Sequence, residues 1–98
     1  MNVLDGFHWD KGNREKCQKH GVSIAEIEAL LSSDPATAPD IRHSDLEDRY
    51  IAVGRNGRGR PMFVAFVYRM KSGRRLVRPV SARYMHGKEA KRYEEKGA

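Results

Sequence analysis

"MFVAFVYRMKSGRRLVRPVSARY", residues 62–84, decides the fold. Its first half carries apolar side chains at both parities: Met62, Val64, Phe66, Tyr68 and Met70 on one, Phe63, Ala65 and Val67 on the other. Successive strand residues point to opposite faces, so a run that is apolar on both reads as a central strand covered from two sides. "KSGR" then supplies a turn, and "RLVRPVSARY", 75–84, a last strand in which Pro79, with no N–H to donate, marks an edge or a bulge. Upstream, "RYIAVGR", 49–55, alternates with period two and puts Arg49, Ile51, Val53 and Arg55 on one face. "NGRGRP" joins it to the central strand, Asn56-Gly57 being the hairpin signal.

Outward from this core the pattern turns helical. Ser23 and Glu26 have capping-box spacing, Val22 and Ile27 that of a hydrophobic staple, and Ile24, Ile27, Leu30 and Leu31 form one apolar stripe that ends at Asp34-Pro35. Before it, Asp10 caps a polar helix that runs to about His20 and stops at Gly21. "VLDGFHW", 3–9, reads as a short first strand, 36–48 as a loosely extended stretch, and 87–95 as a closing helix. The order β-α-α-β-β-β-α predicts an α+β fold: a small antiparallel sheet with two N-terminal helices and one C-terminal helix, packed mainly on one side, as one domain over residues 1–98.

The net charge of +6 hides an asymmetry: residues 1–49 hold six Lys/Arg against ten Asp/Glu, and residues 50–98 hold thirteen against three. A cationic half points to a polyanionic partner, nucleic acid or an acidic protein surface, with plain solubility as the bland alternative. Cys17 is the only cysteine, the N-terminus lacks a basic-then-apolar signal run, and no apolar stretch approaches membrane-spanning length, so the expected compartment is the cytoplasm, with no membrane partner.

Classical site motifs are missing. His8, His20, His43 and His86 are scattered and the lone cysteine has no C-x-x-C partner, so neither a metal nor a cofactor is expected. "GRNGRGR" lacks the G-K-[ST] ending of a phosphate loop, and there is no G-x-S-x-G elbow. What remains is a basic sheet bearing Arg49, Arg55, Arg69, Arg74, Arg75, Arg78 and Arg83, with Tyr68, Tyr84 and Tyr93 nearby. The guanidinium fork matches phosphate oxygens in a way the lysine ammonium does not, although strand arginines also protect sheet edges against aggregation. His20 is either a cap on the first helix or a proton-transfer group; Trp9 reads as a core aromatic.

The stretches "FHWDKGNREKCQKHGVS", "RYIAVGR", "VYR" and "SARYMHGKEAKRYEE", in this order, resemble the BrnT toxin family of bacterial type II toxin-antitoxin systems over nearly the whole chain. The resemblance implies a RelE-like fold, a metal-independent ribonuclease activity, and a BrnA-type antitoxin with a ribbon-helix-helix domain, in a heterotetramer built on an antitoxin dimer. It carries over Trp9, Asp10, Lys19, His20, Gly21, Arg49, Gly54, Ser81, Ala82, Arg83, Glu89 and Tyr93. On that reading a ribose 2′-hydroxyl attacks the adjacent phosphate, Arg83 and Arg55 clamp it, His20 is the first choice for base or acid, and Tyr93 or Glu89 is its counterpart. Lys19, Arg49, Arg69, Arg78 and Tyr84 are the expected RNA contacts. A nonenzymatic RNA-binding module and a pure interaction protein are the alternatives.

Overall fold

The computed structural model describes residues 5–43 and 46–97. Helix α1 (Lys11–Gln18) and helix α2 (Ile24–Ser32) come first, then β1 (Ala36–Pro39), a short 3-10 turn (Ile41–His43), β2 (Tyr50–Arg55), β3 (Pro61–Lys71), β4 (Arg74–Tyr84) and α3 (Gly87–Gly97). The strands form one antiparallel sheet in the order β1-β2-β3-β4, an α+β fold with two helices before the sheet and one after it.

Local chemistry sets the helix starts. Asp10 Oδ1 accepts the Asn13 N–H at 3.1 Å while Asn13 Oδ1 accepts the Asp10 N–H at 2.7 Å, a reciprocal cap on α1. The Asn13 amide donates onward to His8 O (3.0 Å) and Pro79 O (2.8 Å), which fastens α1 to β4. α1 ends at Gln18, two residues short of the sequence expectation, and Gly21 takes φ +92° to turn the chain into α2. Ser23 and Glu26 form the expected box at 3.0 and 3.1 Å.

β3 is the central strand, flanked by β2 and β4. Its Met62, Val64 and Phe66 join Ala52, Val77 and Ala82 against Cys17, Val22, Ile27, Leu30 and Leu31 of the helical layer, so α1 and α2 cover this face. Gly54 lets α2 approach: a Cβ there would lie 2.4 Å from Leu30 Cδ1. α3 packs on the opposite face, where Tyr93 meets Phe63 edge-on with ring centroids 6.2 Å apart.

Three sequence expectations need correction. The described part of the stretch 3–9, residues 5–9, is not a strand of the sheet; it makes one parallel bridge, Phe7 to Val77, with His8 N–H to Val77 O at 2.8 Å and Val77 N–H to Gly6 O at 3.0 Å. Val3 and Leu4 lie outside the described residues. The region 36–48 contains a strand, β1, whose four residues are all exposed. The β2–β3 connection is not a two-residue Asn-Gly turn: Asn56 Oδ1 accepts from the Arg58 and Arg60 N–H groups at 2.9 Å, and Gly59, not Asn56, takes the positive φ of +79°. The β3–β4 turn is the tight one, with Ser72 at φ +52° and Gly73 at φ +77° between the paired Lys71 and Arg74.

Pro79 marks a bulge, as its missing N–H suggests. Ala65 pairs with Ser81 and Phe66 with Pro79, which leaves Val80 as an extra residue in β4. That residue resets the alternation. Arg78 and Arg83 are five apart and would face opposite sides of a regular strand; with Val80 extra, both lie on the face opposite Val77 and Ala82, which enter the core.

Candidate active site

Strand alternation and the bulge gather arginines on one face, the face that carries α3. β2 contributes Arg55, β3 Arg69, and β4 Arg78 and Arg83. Arg49, half-buried just ahead of β2, extends the same alternation and accepts the Asp40 N–H on its carbonyl at 2.8 Å.

Two of these guanidiniums meet carboxylates from α3. Arg83 makes a bidentate pair with Glu89, both N–H···O distances being 2.8 Å, and lies 4.4 Å over the Phe63 ring. Arg55 donates to Glu94 Oε1 from Nε (2.9 Å) and Nη2 (2.6 Å), and to Gly59 O at 2.7 Å. Phe63 touches both Arg83 and Tyr93, so Arg83, Phe63, Tyr93, Glu94 and Arg55 form a row across the sheet. A cleft of about 220 Å³ opens beside it, lined by Arg55, Tyr93 and Glu94 over Val53 and Met85. Arg83 holds the Glu89 carboxyl below the usual carboxylate range, and the same hydrogen bonds raise the guanidinium. Glu89 is therefore ionised at neutral pH.

The other expected residues divide. Arg69 pairs with Glu47, and Arg78 is committed to Asp10 at 2.8 Å and to His8 Nδ1 at 3.1 Å, with a side chain only 18% exposed. Arg78 thus anchors the start of α1 as much as it offers charge. Lys19 and His20 are exposed at the end of α1, on the side of the sheet that carries α1 and α2. The expected convergence of His20 with Arg55 and Arg83 is not met, because Gly21 turns the chain beside Tyr84, on the far face. Tyr84 lies there too: its hydroxyl donates to Glu26 at 2.9 Å, and Arg60 sits 3.6 Å over its ring.

Glu26, read from the sequence only as a cap, turns out to organise this second cluster. Hydrogen bonds from the Asn56 amide, the Ser23 N–H and the Tyr84 hydroxyl bring its carboxyl down to about 2. Burial and the adjacent carboxylate push the Tyr84 hydroxyl up, so it remains a donor. Glu94 and Phe63 were also missed; Glu94 shares a helix face with Ala90 and Tyr93, a spacing that the sequence does display. Burial raises the Cys17 thiol to about 11, leaving it a packing group. Among the described residues no three His, Cys, Asp or Glu side chains come together as a metal site, and no helix is long and apolar enough to cross a membrane.

A family model described as "Ribonuclease toxin, BrnT, of type II toxin-antitoxin system" matches residues 9–89. The chain belongs to the BrnT family. Membership makes it a ribonuclease toxin with an RNA substrate and an antitoxin partner. The match runs from Trp9 through Glu89, and so covers α1, α2, the whole sheet and the Arg83–Glu89 pair. No curated protein matches the chain.

Proposed function

We propose that this BrnT is a metal-independent endoribonuclease in which Arg83 and Arg55 grip the scissile phosphate, working in the cytoplasm as one domain. The observation that supports it is the shared orientation of the two guanidiniums on either side of Phe63 and Tyr93. Two strand spacings and two residue steps separate their Cα atoms by about 12 Å on ideal sheet geometry, within the joint reach of two extended arginines. Both are held by carboxylates that a phosphate can replace, since carboxylate and phosphate compete for the same planar fork.

When the phosphate takes Arg83, Glu89 is released beside it as an ionised base. It accepts the ribose 2′-hydroxyl proton as that oxygen attacks phosphorus, and Tyr93 donates its proton to the departing 5′-oxygen. The products are a 2′,3′-cyclic phosphate and a 5′-hydroxyl. Arg83 and Arg55 stabilise the extra negative charge on the non-bridging oxygens. His20 enters this scheme only if RNA wraps around the sheet, whereas Glu89 and Tyr93 need no such path. Arg69 and Arg49 extend the track along the same face, Arg78 adds charge at its far end, and Lys19 and Tyr84 meet RNA beyond the hairpin.

The partner that silences the toxin is, on this proposal, a BrnA-type ribbon-helix-helix antitoxin in a heterotetramer, whose acidic groups cover the arginine face. The test is incubation of the purified protein with end-labelled RNA in excess chelator. Fragments ending in a 2′,3′-cyclic phosphate are expected, and one 2′-deoxy substitution at the cut site should block that cut. RNA retained uncut would support a binding module instead, and neither binding nor cleavage would leave an interaction protein.

A further inference from the structure

The sheet face that bears Arg83 carries a second cationic cluster toward the β3–β4 turn. In that ladder Phe63 lies opposite Arg83, Val67 opposite Arg78 and Lys71 opposite Arg74. Ladder partners share a face and every second residue along β3 returns to it, so Arg69, Lys71 and Arg78 stand on the same side of the sheet as Arg83. His8 joins them from beside β4. Its neighbour Phe7 bridges Val77 and packs against the core, which turns His8 to the opposite face, with Nδ1 at 3.1 Å from Arg78 Nη1.

The cluster presents donors. Arg78 can only donate, so His8 Nδ1 accepts and the ring proton sits on Nε2, the other side of the imidazole. Burial lowers the His8 pKa, and Lys71, Arg78 and Arg69 lower it further against the opposing pull of Asp10, so Lys71 and Arg69 lie within electrostatic reach of the ring. Lys71 is exposed, and among the described residues no carboxylate pairs with it. Arg69 pairs with Glu47, an exposed carboxylate that a phosphate can replace, while Asp10 stays with Arg78 at the start of α1. Three cations thus face two carboxylates, and the excess positive charge suits one further anion.

We infer that His8, Arg69, Lys71 and Arg78 form a second phosphate site of this ribonuclease, an anchor that holds the RNA strand at a distance from the cut. The inference rests on the phosphate grip proposed above. Arg69 lies six strand steps from Phe63, the partner of Arg83, which is about 20 Å along the sheet. A single strand crosses that span with several nucleotides, in keeping with the ~4–16 nucleotides that single-stranded sites cover. RNA held at both places runs along β3 and β4, past Ser81, and never leaves the face that carries the grip. Contacts of this kind go to the sugar-phosphate backbone and carry no base preference. Their consequence is a dependence on length, because two sites filled by one strand act as a linked pair.

The experiment measures binding of 2′-O-methyl oligouridylates, which cannot be cleaved, to the full chain by fluorescence anisotropy, as a trinucleotide and as a decanucleotide. Lys71→Ala and Arg69→Ala, both at surface positions, should each weaken the decamer about fivefold or more and lower the slope of log K against log salt by about 0.7. The trimer reaches one site at a time and is still held by the grip, so it should lose no more than about twofold. The His8 imidazole signals in NMR spectra should move as the decamer is added. A decamer affinity unchanged in the two variants would overturn the anchor and leave these cations to a protein partner. Equal losses for trimer and decamer would overturn it in favour of diffuse attraction, and so would His8 signals that stay in place at saturation, or no binding at all. A loss in Lys71→Ala with none in Arg83→Ala would instead remove the phosphate grip and keep the anchor.

Discussion

Replacing Arg83 by alanine should leave a folded protein that scarcely cuts RNA, and the structure gives the two magnitudes separately. The Arg83 side chain is 41% exposed and that of Glu89 is 28% exposed, so their pair is close to the surface type and contributes at most ~1 kcal/mol to stability. The guanidinium over Phe63 adds roughly 0.5–1 kcal/mol at such a site. Together these stay under about 2 kcal/mol, against a typical domain stability of about 5–15 kcal/mol. The chemical loss is larger. Removing a donor aimed at charge that develops in the transition state costs about 100-fold or more in rate, or roughly 2.7 kcal/mol and upward. Urea unfolding should therefore show a modest shift in midpoint, while single-turnover cleavage of a defined RNA falls at least about a hundredfold. A rate within about threefold of wild type, with the fold retained, would refute the clamp.

Three further outcomes follow from named contacts. Glu89→Gln should reduce the cleavage rate by about 100-fold or more, whereas His20→Gln should keep both the rate and the shape of the pH-rate profile; the reverse pattern would transfer proton handling to the far face. Asn13→Ala leaves the His8 and Pro79 carbonyls without their donor at a buried site, so it should lower stability by ~1–3 kcal/mol in urea titrations. Glu26 has its carboxyl lowered from 4.5 to about 2, so its contribution is fully present above about pH 4.5 and lost as pH falls toward 2. Glu26→Gln should be less stable than wild type at pH 7, and the gap in urea midpoint between the two should close between pH 4.5 and 2. A gap that stays constant across this window would show that the network does not depend on the charge.

The parts of the fold legible in the sequence are those fixed by short-range chemistry or by two-sided burial. "MFVAFVYRM" could only be central, and Ser23 with Glu26 could only be a cap. β1 escaped notice because "ATAP" is short, wholly exposed and ends in proline, so it carries no burial pattern at all. The hairpin was misassigned because the Asn56 side chain, which a dipeptide rule ignores, takes up two loop N–H groups and shifts the positive φ to Gly59. Pro79 announced an irregularity, but its consequence needed the register: only the pairing of Ala65 with Ser81 and Phe66 with Pro79 shows that Arg78 and Arg83 share a face. The candidate site was half legible for the same reason. Of the residues named from sequence, Arg83 pairs with Glu89, and Arg55 and Tyr93 line one cleft on the same face. His20 was named with them and is on the other side, since no sequence pattern states which face the turn at Gly21 addresses.

The central claim is that Arg55 and Arg83 act on one phosphodiester. The most direct measurement is a double-mutant cycle on single-turnover cleavage, with Arg55→Ala and Arg83→Ala made singly and together. A shared phosphate predicts non-additivity of at least ~1 kcal/mol, the double variant losing clearly less than the product of the single losses. Losses that multiply to within about 0.5 kcal/mol would mean that the two arginines serve separate phosphates, and would contradict the account.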